Sequence, residues 1–177
     1  DELAPPLLEL KNADCGYNKE KPILSNIDFH IDMTSRIAVV GPNGAGKTTL
    51  LKSITGDLEV LDGKFFRHGK LKLALFTQHH VDQLNLEFTP IEQIGSMDSD
   101  IKEERIRSHL ANFGITSDLM MRPNYLLSGG QKTRVALAAL VFNKPEIIMM
   151  DEPTNHLDID AVDALAQALN NFTGGIC

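Results

Sequence analysis

The sequence lacks most features that mark secreted, membrane-spanning or nucleic-acid-binding proteins. It contains only two cysteines, Cys15 and Cys177, which is typical of a reducing compartment and predicts two unpaired thiols. No apolar run approaches the roughly 20 residues that a membrane-spanning helix needs, and no signal-peptide pattern follows Asp1. We therefore expect a cytoplasmic protein without a membrane segment.

Positive charge is also scarce. Lysine and arginine number 17 against 24 aspartates and glutamates, which gives a formal net charge of −7. A domain of this charge is not attracted in bulk to the phosphates of nucleic acid, so we expect no direct nucleic-acid binding. The 177 residues, 42% of them hydrophobic and 23% charged, have the composition and length of one globular domain with a core.

Hydrophobic patterning predicts an α/β core that is interrupted by a helical segment. Alternating residues at 7–12 and 27–33 predict an antiparallel β-layer. Buried strands are predicted at 36–40 and 146–151, further strands at 64–66 and 71–76, and helices at 47–54, 101–113, 130–142 and 159–172. In this interpretation the core covers about 1–85 and 143–177, and the helical subdomain about 86–142.

A glycine-rich loop lies between the strand predicted at 36–40 and the following helix. Residues 41–48 match the phosphate-loop pattern G-x-x-x-x-G-K-[ST] at every fixed position. Glycines let backbone N–H groups approach phosphate oxygens, and the helix N-terminus adds partial positive charge. Lys47 is predicted to contact the β- and γ-phosphates, and Thr48 to coordinate Mg²⁺. An ordinary glycine turn is disfavoured because strand, loop, lysine, threonine and helix occur in order.

Two acidic residues occur at the end of the strand predicted at 146–151. Ligands of α/β folds bind at the carboxyl ends of strands, so Asp151 is predicted to hold Mg²⁺. Glu152 is predicted to polarise the attacking water as general base. Taken alone, the pair could be two surface acids. The complete phosphate loop favours the metal site.

The segment Leu127-Ser128-Gly129-Gly130-Gln131 precedes a predicted helix and has the chemistry of a second anion site. Ser128 can cap the helix, and the two glycines expose N–H groups at its positive end. By itself the segment is better explained as a glycine-containing helix cap.

The order of these parts resembles the ATP-binding cassette (ABC) ATPases along nearly the whole chain. The parts are the phosphate loop, Gln78, residues 127–131, Asp151-Glu152 and Asp158. The resemblance implies the α/β P-loop NTPase fold, with a parallel-sheet core, an antiparallel β-layer and a helical insertion subdomain. It also implies ATP and Mg²⁺ as ligands, and a second cassette as partner.

Residue roles follow from the resemblance. In the family, each ATP lies between the phosphate loop of one cassette and the Leu-Ser-Gly-Gly-Gln motif of the other. Gln78 would sense Mg²⁺ and the attacking water, and Tyr17 would stack on adenine, although a lone tyrosine is also consistent with an ordinary core or surface aromatic. The implied nucleotide-binding residues are Tyr17, Gly41, Asn43, Gly44, Ala45, Gly46, Lys47, Thr48, Thr49, Ser128, Gly129, Gly130, Gln131 and Asp158. The implied catalytic residues are Glu152, Lys47 and Gln78, and the implied metal ligands are Thr48, Gln78 and Asp151.

A narrower resemblance is to the ABC-F subfamily. Residues 152–158 and 131–138 resemble the corresponding segments of those proteins. ABC-F proteins carry two cassettes in one chain and have no membrane domain. They associate with ribosomes and act in translation or its regulation. Residues 35–52 and the pair His79-His80 look most like a C-terminal cassette of eukaryotic members. The alternatives are the motor subunit of a membrane transporter and a regulatory scaffold that is reset by hydrolysis.

Some family parts have no counterpart in the sequence. The switch histidine lies beyond a strand that begins near Cys177, so we interpret the chain as a truncated fragment with very slow turnover. His156 is not assigned that role. His79 and His80 are interpreted as structural or solvated, because adjacent loop histidines rarely bind a metal without carboxylate or cysteine.

Overall fold

The structure, a computed structural model, describes residues 5–154 and 159–177. In chain order the elements are β1 (Leu8–Cys15), β2 (Leu24–Ile31), α1 (Lys47–Thr55), β3 (Asp62–Arg67), β4 (Leu73–Phe76), α2 (Gln78–Asp82), α3 (Pro90–Gly95), α4 (Glu103–Asn112), α5 (Ser117–Met120), a 3-10 turn (Asn124–Leu126), α6 (Gly129–Phe142), β5 (Ile147–Met150), α7 (Ile159–Asn170) and β6 (Gly175–Ile176).

These elements divide between two compact units. The strand unit comprises the described residues within Asp1–Leu75, Pro145–Asp151 and Thr173–Cys177. The helical unit comprises those within Phe76–Lys144 and Glu152–Phe172. No helix in the described part of the chain has the length and hydropathy needed to cross a bilayer.

The first layer of the strand unit is an antiparallel sheet in the order β2-β1-β3. Leu8 on β1 lies opposite Ile31 on β2 and Arg67 on β3. Alternate β1 residues, including Leu8 and Leu10, are buried, as a strand with one face on a core requires. The antiparallel layer predicted from residues 7–12 and 27–33 is therefore confirmed.

The second layer is a sheet in the order β4-β5-β6, and β5 runs parallel to β6. Ile147, Ile148 and Met149 on β5 are fully buried, as predicted from their uninterrupted apolar run. Ile147 and Met149 belong to one core cluster with buried β1 residues and Ile54 of α1.

The strand predicted at 36–40 is wrong. A bridge between Arg36 and Ile176 joins this segment to the sheet, residues 37–40 are not in a strand, and Val40 is 92% exposed. A strand forms only where neighbouring backbone supplies hydrogen-bond partners, however apolar its residues. Because β6 consists of Gly175–Ile176, its pairing reaches only Ser35 and Ile37, whose backbone groups bond to Ile176 at 2.9 Å each.

The helical unit is organised around α6, which packs against α2, α3, α4 and α7. Val135 and Leu137 of α6 are fully buried, and Ile106 and Leu110 of α4 form the apolar stripe predicted from the sequence. The α/β class with a parallel core, an antiparallel layer and a helical insertion is therefore the observed architecture.

Candidate nucleotide-binding site

The phosphate loop makes a sharp turn into α1 that only glycine can complete. Gly44 and Gly46 have φ of 80° and 99°, in the left-handed region, and Gly46 is the N-cap residue of α1. A Cβ on Gly46 would lie 2.9 Å from Cδ2 of Leu24 and 3.0 Å from Cγ2 of Ile23. Ile23 and Leu24 therefore pack closely against the loop, and a side chain at Gly46 would have to displace them in addition to adopting a strained φ.

Lys47 links two backbone carbonyl groups of the loop by hydrogen bonds. Its Nζ donates to the carbonyl oxygens of Gly41, at 2.7 Å, and Pro42, at 3.1 Å. The Ala45 N–H donates to the same Pro42 oxygen at 3.1 Å and closes a turn within the loop. An ammonium group is thus fixed beside a solvent-exposed loop tip.

The N-terminus of α1 adds donors beside this ammonium group. The first N–H groups of an α-helix have no intrahelical acceptor, and the helix dipole makes this end partly positive. Thr48 is exposed in the first turn, whereas Thr49 is buried at 6% exposure. The arrangement suits an anion with several oxygens, such as a chain of phosphates.

Asp151 and the phosphate loop both follow segments that pair in parallel with β6. Asp151 follows the carboxyl end of β5, which runs parallel to β6, and Arg36 bridges β6 in parallel a few residues before Gly41. Asp151 is half-buried and Thr48 is exposed, so both side-chain oxygens are accessible. Carboxylate and hydroxyl oxygens are the donors that Mg²⁺ accepts in proteins.

These oxygens fit Mg²⁺ that is held largely by phosphate. Within residues 5–154 and 159–177, no three His, Cys, Asp or Glu side chains group into a metal site. Mg²⁺ in nucleotide sites is commonly bound by one or two carboxylates together with substrate phosphates and water. A single carboxylate beside a phosphate loop matches that pattern.

Tyr17 follows β1 and presents its ring to solvent. The residue is 63% exposed, which excludes the core alternative and leaves a ligand contact or an ordinary surface residue. The Ile23 N–H donates to the Cys15 oxygen at 2.9 Å and so closes the loop that carries Tyr17. Because Ile23 also abuts Gly46, the Tyr17 loop and the phosphate loop share one support.

In the helical unit, Ser128 is the N-cap residue of α6, as predicted. Its Oγ accepts from the Gln131 N–H at 3.2 Å, and the Gln131 Oε1 accepts from the Ser128 N–H at 2.9 Å. This reciprocal pair is a capping box at the start of a 14-residue helix. Gly129 is exposed, and a Cβ built on it meets nothing within 4 Å, whereas Gly130 is buried.

Gln78 and Glu152 also lie outside the strand unit. Gln78 is the first residue of α2, and its N-cap is Thr77. Glu152 follows β5 with φ of 46° and is exposed. Asp158 and His156 lie outside the described residues. Within the strand unit the structure thus brings together the phosphate loop, its Ile23–Leu24 support and the Tyr17 loop.

Comparison with known proteins identifies the family. The family model described as "ABC transporter" matches residues 24–155, which is more than half of the chain. The chain belongs to the ABC family.

Individual members show which branch of the ABC family is most similar. ABC transporter F family member 3 of Arabidopsis thaliana is 48% identical over 100% of this chain and 25% of its own length. Protein GCN20 of Saccharomyces cerevisiae is 44% identical over 99% of this chain and 23% of its own length. The chain therefore spans about a quarter of these curated relatives.

A solved structure supports the same cassette fold. The ATP-binding protein of a putative ABC transporter from Pyrococcus furiosus superposes with a TM-score of 0.74 at 26% identity, covering 96% of this chain and 88% of that one. The similarity of the two folds extends over nearly the whole cassette.

Two supporting features of the cassette were missed by sequence reasoning. Ile23 and Leu24 read as ordinary strand residues, and only the close approach to Gly46 shows their contact with the phosphate loop. The bonds between Thr77 and His80 were also missed, although Thr and His three residues apart at a helix start are a recognisable variation on a capping box.

Proposed function

We propose that this cassette binds Mg·ATP on residues 41–49 and hydrolyses it when paired with a second cassette of the same polypeptide. The observation that carries the proposal is the phosphate loop itself. Left-handed glycines shape it, Ile23 and Leu24 hold it, and the Lys47 ammonium is fixed beside the exposed helix N-terminus. This combination of fixed charge and N–H donors suits polyphosphate.

In this proposal Lys47 exchanges its bonds to the Gly41 and Pro42 carbonyls for bonds to phosphate oxygens. Thr48, Asp151 and Gln78 would hold Mg²⁺. The metal ion, when bound, neutralises charge on the phosphate oxygens. Tyr17 offers its exposed ring to the adenine.

Glu152 orients the attacking water and accepts its proton. Glu152 is an exposed residue two positions after the end of a buried strand, and a carboxylate side chain there can accept a proton from water. The proton leaves the water oxygen as that oxygen bonds to the γ-phosphorus, and the bond between the γ-phosphorus and the ADP oxygen breaks.

The second cassette completes the site. Ser128, Gly129, Gly130 and Gln131 would contact the nucleotide held mainly by the partner, and Asp158 would belong to the same shared site. Because ATP would then touch both cassettes, its binding free energy favours the closed pair over the open one.

The cellular role that we propose is in translation. Support comes from the resemblance of residues 131–138 and 152–158 to ABC-F proteins, and from curated F-family relatives at 44% to 48% identity. The chain corresponds in this proposal to the C-terminal cassette, and ATP-driven closing controls association with the ribosome.

The test uses the paired-cassette protein with Glu152→Gln, which we expect to retain ATP. It should co-sediment with ribosomes in ATP and not in ADP. The control is the double variant Glu152→Gln, Lys47→Ala, which should lose ATP and therefore the association. Absence of co-sedimentation in both nucleotides would reject the translation role and favour a transporter subunit, whereas the ATPase proposal would stand.

A further inference from the structure

His80 makes a set of contacts that its neighbour His79 does not share. The His80 Nδ1 accepts from the Thr77 N–H at 3.2 Å and lies 3.1 Å from Thr77 Oγ1. The His80 backbone N–H donates to the Thr77 backbone carbonyl oxygen at 3.0 Å and closes the turn between them. The side chains of Thr77 and His80 have the arrangement of a capping box at the start of α2, with histidine at the position that usually holds Glu or Gln.

The ring of His80 is also anchored from the side. It stacks on Phe76 with ring centroids 6.0 Å apart and an interplanar angle of 20°. Phe76 ends β4 and is only 2% exposed, so it is a fixed support. His79, by contrast, is exposed and pairs with the side chain of Gln83 at 2.7 Å. Only one of the two adjacent histidines therefore holds the helix start.

Gln78 lies between the two partners of this capping box. The helix that it begins has five residues, a length at which a helix is marginal without tertiary contacts or caps. A lost cap allows the first turn to fray, and Gln78 is the first residue of that turn. The conformation of the Gln78 backbone thus depends on His80.

We infer that His80 is a positioning residue for hydrolysis: with Thr77 it fixes the backbone of Gln78, the residue to which the proposed function assigns contact with Mg²⁺ and the attacking water. The inference rests on the proposed function, since it requires Gln78 to act on the nucleotide. In this inference His80 needs no contact with the nucleotide or the metal. It acts through the start of α2, and this role goes beyond the structural or solvated interpretation of the sequence.

The kinetic test uses the paired-cassette protein with four single variants: His80→Ala, His80→Gln, Thr77→Val and the matched control His79→Ala. We expect His80→Ala and Thr77→Val to lower kcat by up to about fivefold, the largest population change that the loss of one cap can produce, with KM for Mg·ATP unchanged. His80→Gln restores the residue type of an ordinary capping box and should recover kcat. His79→Ala should behave as the unsubstituted protein.

A second measurement observes the cap directly and without nucleotide. In this chain, amide hydrogen exchange at the Thr77 N–H should accelerate in His80→Ala and return in His80→Gln. Faster exchange with unchanged kcat would overturn the positioning role. Equal losses in His80→Ala and His79→Ala would overturn it as well, because they would show an unspecific effect. If Glu152→Gln leaves turnover intact, the proposed function fails first, whatever His80 does.

Discussion

Replacing Lys47 with alanine tests the phosphate loop by removing the one side-chain charge that the structure fixes in it. The Nζ atom makes two hydrogen bonds to loop carbonyls, at 2.7 Å and 3.1 Å. In the proposed complex two bonds to anionic phosphate oxygens replace them. The Lys47→Ala variant cannot form the bonds to phosphate, and its loop also loses the two bonds to the Gly41 and Pro42 carbonyls.

The expected loss of ATP affinity follows from this replacement of carbonyl acceptors by phosphate acceptors. Bonds that involve a charged group contribute about 1.5–3 kcal/mol each, and ionising the second partner strengthens them further. Both states contain two bonds to the ammonium group, so only the difference between anionic and neutral acceptors counts, about 2–3 kcal/mol in total. The predicted loss of ATP affinity is therefore about 30- to 150-fold.

The assay is an equilibrium titration of the chain with Mg·ATP in which the heat of binding is measured by calorimetry. The matched control is Lys52→Ala, which removes the same charge from the last turn of the same helix, where the side chain is exposed. We expect little change in the control. Equal affinity of Lys47→Ala and the unsubstituted chain would refute the site, and equal losses in both variants would show that only bulk charge matters.

Three further predictions concern stability and its pH dependence. Gly46→Ala should destabilise the fold by more than the roughly 1–2 kcal/mol that an alanine in the left-handed region costs, since its Cβ would also meet Leu24. Gly44→Ala has open space around its Cβ, so urea unfolding should show only the conformational cost for that variant. Ser128→Ala should lower the unfolding free energy by about 1 kcal/mol, and no loss in thermal unfolding would contradict the capping role. Burial lowers the pKa of His109, opposed by its bond to Ala138, so the folded state binds this proton less readily than the unfolded state. Stability should therefore be full above about pH 6.5 and fall as the pH drops below that value, and His109→Gln should flatten this part of the urea-unfolding profile between pH 7.5 and 5.5.

Local signals in the sequence were sufficient to predict the conformation of the phosphate loop, the cap of α6 and strand β5. Each depends on a few neighbouring residues: glycines before a lysine, a serine three residues before a glutamine, and four apolar residues in a row. Short-range chemistry of this kind leaves little choice of conformation. The structure accordingly confirms the Ser128 cap and the burial of Ile147–Met149.

Features that depend on distant backbone could not be predicted in the same way. The apolar run at 36–40 reads as a strand, but pairing decides whether a strand forms, and pairing to β6 ends at Ile37. The fit of Ile23 and Leu24 to Gly46 brings together residues more than 20 positions apart in the sequence. The stacking of His80 on Phe76 likewise depends on how β4 and α2 meet, which periodicity does not specify.

The most direct test of the ATPase proposal compares binding and turnover in the paired-cassette protein with and without Glu152→Gln. Nucleotide occupancy is measured by filter binding of labelled ATP, and turnover by release of labelled phosphate. We expect the variant to bind ATP at least as tightly as the unsubstituted protein while phosphate release falls by about two orders of magnitude or more, the loss expected when general-base catalysis is removed. Phosphate release at an undiminished rate, or loss of ATP binding in the variant, would contradict the assignment of Glu152 as the base.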